Sequence, residues 1–466
     1  MKPYTWSISE ARRAVEEGTC SAEELTRSFL SRIERYNPGL RAYLSISESA
    51  IDEAKKIDQL RSSGQIQNLP LAGVPIAIKD LFEATFMPHT YGGRHKWDRS
   101  PVTATVVKKL QAAGAIILGK TNLHEYAYGT TSENPHFGSV INPWNKAKIA
   151  GGSSGGSSAA VTAGLCTAAL GTDTGGSVRI PAALTGHVGL KPTFGLISKA
   201  GVFPLATSLD HVGPMTRNVR DAALLLNVMA GYDPLDETSV LVPTKNYLPK
   251  PLNRETLRVG VPKNFFFDKC HPNVLQTVQN ALQSLQDSGF QLQEVTVPDV
   301  EEVPDMQSAT ISSEAYFIHK EHFERESSSY GWDVRQRLED SKKTLGYRYV
   351  EAQEFRKRMS LKLDNLFGDV DVLVMPTTPL TATDTGQVKA HIRAQEVNIR
   401  AHLTRYTNPW NLTGFPALTI PCGLSPDGLP VGLQIVGPRF SEQKLLSVGV
   451  QFEEVLTWTA LAPEYR

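Results

Sequence analysis

Two glycine–serine turns separated by an apolar segment constrain this chain more than any other feature. The first reads Ala150-Gly151-Gly152-Ser153-Ser154-Gly155-Gly156-Ser157-Ser158, and the second Thr174-Gly175-Gly176-Ser177-Val178-Arg179. Residues 159–170 between them are mostly Ala, Leu and Val. Flexible linkers do not enclose hydrophobic runs, so neither turn reads as a linker. Glycine permits positive φ and close backbone approach, while serine supplies hydroxyls. The pair of turns therefore reads as the floor of an active site.

The rest of the chain is long enough, and apolar enough, to build a large domain around that floor. It has 466 residues, 41% of them hydrophobic. Lys plus Arg (48) balances Asp plus Glu (48), so no overall charge points to a nucleic-acid or membrane partner. Cys20, Cys166, Cys270 and Cys422 are scattered without a CxxC pair. That argues against a disulfide framework or a zinc site. The first residues lack the apolar core of a signal peptide, and no run approaches a membrane span. The default is a soluble cytoplasmic protein.

Ser7-Ile8-Ser9-Glu10 and Ser21-Ala22-Glu23-Glu24 match capping boxes. Leu25, Phe29 and Ile33 follow at helical spacing, and Asn37-Pro38-Gly39 is expected to end that helix. Residues 1–65 thus read as a helical module that covers the main domain or a partner. Gly73-Val74-Pro75-Ile76-Ala77-Ile78-Lys79-Asp80 reads as a buried strand delivering Lys79 at its end. Residues 115–118, 258–262, 290–297, 370–375, 417–420 and 431–436 are further strands. Helices are expected over 105–113, 220–230, 274–288, most of 305–367, and 442–456. Strands alternating with helices predict an α/β fold, a large mixed sheet covered by helices on both faces. One domain is expected over 1–466. The catalytic core spans 66–235, and residues 236–466 complete the sheet and pocket.

Several motifs compete for the chemistry. Gly114-Ala115-Ile116-Ile117-Leu118-Gly119-Lys120-Thr121 matches a phosphate-loop pattern. Its middle residues read as the strand itself rather than as a loop wrapping an anion, so a nucleotide-binding protein is the weaker alternative. Ser153 and Ser154 each centre a G-x-S-x-G pattern, but Asn142-Pro143-Trp144-Asn145 cannot be the apolar strand a nucleophile elbow needs. His187 and His211 read as ordinary half-buried histidines. His319 and His322, three apart, read as a solvated helix face with no third metal ligand signalled.

That leaves serine, lysine and backbone amides. A serine hydroxyl needs a base, and a buried lysine can serve as a neutral amine. Lys79 ends an apolar strand and suits the task. Lys191, before Pro192 in an expected turn, reads as structural. Thr172-Asp173-Thr174-Gly175-Gly176-Ser177 is the best candidate for an oxyanion hole, since consecutive amides of a glycine turn can converge on developing charge.

These residues together resemble the amidase signature family over about residues 70–233, with echoes in Val374-Met375-Pro376-Thr377 and Gly414-Phe415-Pro416-Ala417. The resemblance implies a Ser-Ser-Lys set. The family lysine falls on Lys79, the serine preceded by a cis bond on Ser153, and the nucleophile on Ser177. The two serines stand 24 residues apart, as in the family pattern. The amides of Thr174, Gly175, Gly176 and Ser177 are implied to hold the oxyanion. No cofactor and no metal are implied.

Within the family the chain resembles stand-alone amidases in Thr121-Asn122-Leu123-His124-Glu125-Tyr126-Ala127 and Glu133-Asn134-Pro135-His136. The alternative is the glutamine-hydrolysing A subunit of the glutamyl-tRNA(Gln) amidotransferase. That protein has glutamine after its D-T-G-G-S-I-R segment, where Ile180 stands here, and an aspartate before its N-L-A-G segment that holds the substrate amino group. Here Asn411-Leu412-Thr413-Gly414 is preceded by no carboxylate between Glu396 and Trp410. The preferred reading is a free-standing amidase that acts on a small-molecule amide and releases ammonia or an amine. It needs no nucleic-acid or membrane partner and is compatible with a homodimer. Residues 300–410 are expected to wall the acyl pocket, and Tyr126 and Tyr128 read equally as lining it or as buried core aromatics.

Overall fold

The short apolar runs line up as neighbours in one sheet. The computed structural model describes residues 2–95, 100–243 and 245–466. In its first half, β1 is Tyr43–Ile46, β2 Pro75–Lys79, β3 Ile116–Thr121, β4 Ala168–Asp173, β5 Val188–Lys191 and β6 His211–Thr216. In its second half, β7 is Arg258–Pro262, β8 Gln291–Val295 and β9 Val372–Pro376. A hairpin of β10 (Lys389–Ile392) and β11 (Gln395–Asn398) precedes β12 (Ala417–Leu424) and β13 (Pro430–Val436). The eleven-stranded sheet has the order β1-β3-β2-β4-β6-β5-β12-β13-β9-β7-β8, and the hairpin stands apart.

Parallel and antiparallel pairs mix in this sheet, as the α/β reading requires. β2 runs parallel to both β3 and β4, and β7 runs parallel to β8 and β9. The register of β2 with β4 sets Ile78 beside Leu170. Lys79 therefore leaves the sheet at the same edge as Thr172 and Asp173, one residue pair further along. Strand order thus brings a lysine and a glycine turn together although more than 90 residues separate them.

The segment between the two turns resolves into a helix, Gly155–Thr162, and then β4. The second turn leads into the helix Arg179–Thr185. Every residue of both helices is buried. Small side chains make this burial possible. A Cβ on Gly156 would stand 2.3 Å from the Asn122 carbonyl oxygen, so only glycine fits there.

Both N-terminal capping boxes form reciprocally, at Ser7 with Glu10 and at Ser21 with Glu24. The second helix does not stop at Asn37-Pro38-Gly39 but runs from Ala22 to Leu40 with Pro38 inside. It closes on Arg41, whose φ of 54° is left-handed and whose N–H donates to the Asn37 carbonyl. The N-terminal module covers this chain's own sheet: Ile8, Val15, Leu25 and Phe29 share one apolar cluster with Ile76, Val259 and Leu433. That cluster draws on all three stretches, 1–65, 66–235 and 236–466.

Residues 305–367 fall mainly in three helices, Val303–Glu326, Trp332–Ser341 and Gly346–Asp369. Nothing in the sequence signals β1, the strands β5 and β6, or the hairpin. Lys191 consequently ends a strand, β5, rather than sitting in a turn. Residues 118–121 belong to β3, and Lys120 lies fully buried with Nζ 3.2 Å from Asp80 Oδ1. The phosphate-loop match is thus a strand whose lysine is tied to a carboxylate. Among the described residues no helix is long and apolar enough to cross a membrane. All four cysteines are free and buried.

Candidate active site

Lys79 is fully buried at the end of β2. Its Nζ lies 2.7 Å from Ser153 Oγ and 2.8 Å from Thr172 Oγ1. Burial pulls the ammonium down to about 7, while Asp210 and Asp173 pull the other way. A lysine amine that is substantially neutral near pH 7 is what a base for serine requires.

Ser153 follows a cis Gly152–Ser153 peptide bond. Its carbonyl accepts from the His124 N–H at 3.1 Å and from Ser132 Oγ at 3.2 Å. A Cβ on Gly152 would meet the Ser132 amide nitrogen at 2.8 Å, so this close approach needs glycine. The other serines of the first turn are otherwise engaged. Ser154 Oγ donates to the Thr172 carbonyl, and Ser157 Oγ donates to the Leu170 carbonyl. Ser158 Oγ lies within 3.1 Å of the Pro181 carbonyl, Thr185 Oγ1 and His187 Nε2. These three tie the helix to β4 and to the following helix, which leaves Ser153 as the serine facing Lys79.

The second turn hangs on Asp173. Its carboxylate accepts from the N–H groups of Gly176 (2.8 Å) and Val178 (3.1 Å), from Arg179 Nε (3.0 Å) and Nη2 (2.9 Å), and from Asn411 Nδ2 (2.8 Å). Burial opposes its ionisation, but Arg179 and these hydrogen bonds hold it well below the usual carboxylate range. Thr407 Oγ1 donates to the Gly175 carbonyl at 2.6 Å, and Gln307 Nε2 donates to the Thr174 carbonyl at 3.0 Å. The turn meets the first one where the Ser154 N–H donates to the Ser177 carbonyl at 3.2 Å.

The N–H groups of the second turn differ in their partners. The Gly176 N–H is already committed to Asp173 Oδ1. Gly176 instead supplies a φ of 125°. The N–H groups of Thr174, Gly175 and Ser177 have no hydrogen-bond partner among the described residues.

Ser177 opens on a cavity of about 250 Å³. Its walls include Tyr128, Gln307, Ile311, Arg400, Thr404 and Asn408. The 300–410 stretch thus faces Ser177. Tyr128 lines this cavity, whereas Tyr126 packs instead against His319, with ring centroids 4.9 Å apart. A larger cavity of about 550 Å³ adjoins it and shares Thr130, Asn398 and Arg400.

The histidines fall away from the serines or bury themselves. His187 and His211 are fully rather than half buried. His211 Nε2 sits 3.2 Å from Lys191 Nζ, and His187 touches only Ser158 among the serines named above. Lys191 has Pro192 and His211 as neighbours and no serine. His319 and His322 are buried, not solvated, because the loop around Tyr330 folds over that face of their helix. His322, without His319, also meets two donors the sequence did not signal. With His95 and Glu326, its donor atom lies in a set within 4.8 Å of one another.

Comparison with known proteins agrees with this geometry. The model of the family described as Amidase matches residues 24–446. The chain belongs to the amidase signature family. It is 38% identical to the A subunit of the glutamyl-tRNA(Gln) amidotransferase of Pseudomonas syringae pv. tomato, over 99% of both chains. Among solved structures, a crystal structure of an amidase superposes with a TM-score of 0.90 at 33% identity, covering 97% of this chain and 100% of that one. The corresponding amidotransferase chain of Thermotoga maritima superposes with a TM-score of 0.83 at 31% identity, covering 99% and 98%. The curated relatives carry the name of the alternative reading, not of the preferred free-standing amidase. The enzyme class, action on amide C–N bonds, is common to both.

Sequence reasoning named Thr172, Asp173 and Arg179 within the second turn but missed the contact of Thr172 with Lys79, the Asp173–Arg179–Asn411 cluster, Gln307 and Arg400. Asp173 stood in the turn but carried no sign of its partners. Arg400 follows a hairpin whose four-residue strands are too short to show a period.

The Lys79 environment makes the pH dependence explicit. A lysine that serves as the base works deprotonated, which puts the expected loss of activity on the acid side. The rate at low substrate is expected to fall about tenfold per pH unit below about 7. A profile flat down to about pH 5 would show that Lys79 is not the base.

Proposed function

We propose that this enzyme hydrolyses a non-peptide amide through an acyl-enzyme on Ser177, with Ser153 and Lys79 as the proton relay. One observation carries the reading: a buried lysine held near neutrality lies 2.7 Å from the serine beside the second turn. Ser153 passes its proton to the neutral Lys79 amine and takes one from Ser177. Ser177 Oγ attacks the carbonyl carbon, and charge on the carbonyl oxygen falls to the N–H groups of Thr174, Gly175 and Ser177. The C–N bond breaks as Ser153 protonates the leaving nitrogen, and Lys79 returns the proton to Ser153. Water then attacks the Ser177 ester by the reverse route. It yields the carboxylic acid and the free serine.

The amide itself has two readings. The curated relatives, similar over nearly the whole of both chains, favour glutamine as the amide and a place in a tRNA-dependent amidotransferase. Partner subunits and tRNA then join the small-molecule substrate, contrary to the expectation of no nucleic acid. One observation supports the free-standing amidase: no Asp or Glu is among the described residues lining the Ser177 cavity itself, the nearest acidic lining, Glu133, Asp333 and Asp340, belonging to the adjoining cavity. Ammonia release by the purified chain decides between them. Release from simple amides by the chain alone supports the free-standing enzyme. Release from glutamine only, with partner subunits and charged tRNA present, supports the amidotransferase reading. No release in either setting overturns amide hydrolysis itself.

A further inference from the structure

Arg400 sits in the short helix Ile399–Leu403, which the hairpin of β10 and β11 carries over the Ser177 cavity. It lines both that cavity and the larger one beside it. Two other arginines near the site are paired. Arg179 Nη2 lies 2.9 Å from Asp173, and Arg337 Nη2 lies 2.9 Å from Asp333. Arg400 forms no ion pair among the described residues. Asp333 is further claimed by His124 Nε2 at 2.9 Å.

The Arg400 and Arg337 guanidiniums lie 5.3 and 5.8 Å from the Tyr128 ring centroid, with Asp333 as the ion-pair partner of one of them. Burial lowers His124 from its ordinary value, against the pull of Asp333. Burial, with Arg337 nearby, brings Arg400 down to about 10, which leaves it cationic at neutral pH. Arg400 thus stands as a cation without an ion pair on the wall of the Ser177 cavity, whose described lining holds no carboxylate, while Glu133, Asp333 and Asp340 line the larger cavity on its other side. Arg400 is half-buried, which leaves its guanidinium within reach of an anion that enters the cavity. Arginine's planar fork suits a carboxylate, which it can hold through two parallel bonds.

We propose that Arg400 anchors a carboxylate on the acyl portion of the substrate, making this cavity selective for monoamides of dicarboxylic acids that carry no amino group. The inference rests on Ser177 as the acylated residue, but its test reads binding alone. In a Ser177→Ala protein, calorimetric titration compares glutaramate, its neutral counterpart pentanamide, and glutamine. Glutaramate is expected to bind at least about tenfold more tightly than pentanamide, and more tightly than glutamine. Adding Arg400→Gln weakens glutaramate binding about 10- to 100-fold and leaves pentanamide unchanged. Arg400→Lys, which keeps the charge, recovers part of the loss. Equal binding of glutaramate and pentanamide overturns the proposal, as does glutaramate binding indifferent to Arg400→Gln. Glutamine binding more tightly than glutaramate overturns the exclusion of the amino group. Failure of the wild-type enzyme to release ammonia from any amide would count against the Ser177 reading and leave these binding outcomes as they stand.

Discussion

Replacing Ser177 with Ala lowers amide hydrolysis by about 10⁴- to 10⁶-fold, the range seen when a nucleophile acting with its base is removed. The loss is expected in kcat rather than in binding, because the Ser177 hydroxyl is one group among many lining its cavity. Neighbouring serines do not substitute for it. Ser154, Ser157 and Ser158 spend their hydroxyls on carbonyls of β4 and the following helix. Ser153 faces Lys79 and stays in place. The check is steady-state kinetics beside a melting curve, which should barely move, since the change removes one oxygen next to a cavity. A loss of less than about tenfold would mean that acyl transfer runs through another group.

Asp173→Ala is the substitution expected to cost most stability. It removes the acceptor of the Gly176 and Val178 N–H groups and leaves the Arg179 guanidinium buried without its carboxylate. Breaking a buried pair from one side costs about 3–5 kcal/mol. The sign with pH follows from the same environment. The folded carboxyl titrates below its ordinary value, so its contribution is complete at neutral pH and is lost as pH falls through the acid range. Wild type should therefore lose stability in acid, while Asp173→Ala should show a smaller slope there. Activity falls too, because the amides of the second turn lose the anchor that aims them. A denaturation midpoint unchanged at neutral pH would contradict this role for the carboxylate.

The parts of the site that were legible in the sequence are those written in consecutive residues. Val74-Pro75-Ile76-Ala77-Ile78-Lys79 announces a buried strand with a lysine at its end, and glycine-rich turns announce close backbone approach. The hidden parts are pairings across long separations. Asn411 reaches Asp173 across 238 residues, and Thr407 reaches Gly175 across 232. Neither asparagine nor threonine differs in sequence from the same residue on a surface. Helix boundaries failed where a local rule met tertiary packing, as at Pro38, which fits inside the last turn of its helix. Burial of His319 and His322 was equally invisible, because it depends on Ser329 and Tyr330, just past the end of their helix, folding back over that face.

Among the measurements that bear on the mechanism, mapping the covalent adduct is the most direct. The enzyme is treated with a serine-directed fluorophosphonate and the modified peptide is sequenced by mass spectrometry. A single adduct on Ser177 is predicted, absent in Ser177→Ala and formed far more slowly in Lys79→Ala. An adduct on Ser153, Ser154 or Ser157, or labelling of Ser177 at an undiminished rate without Lys79, would contradict the proposed relay.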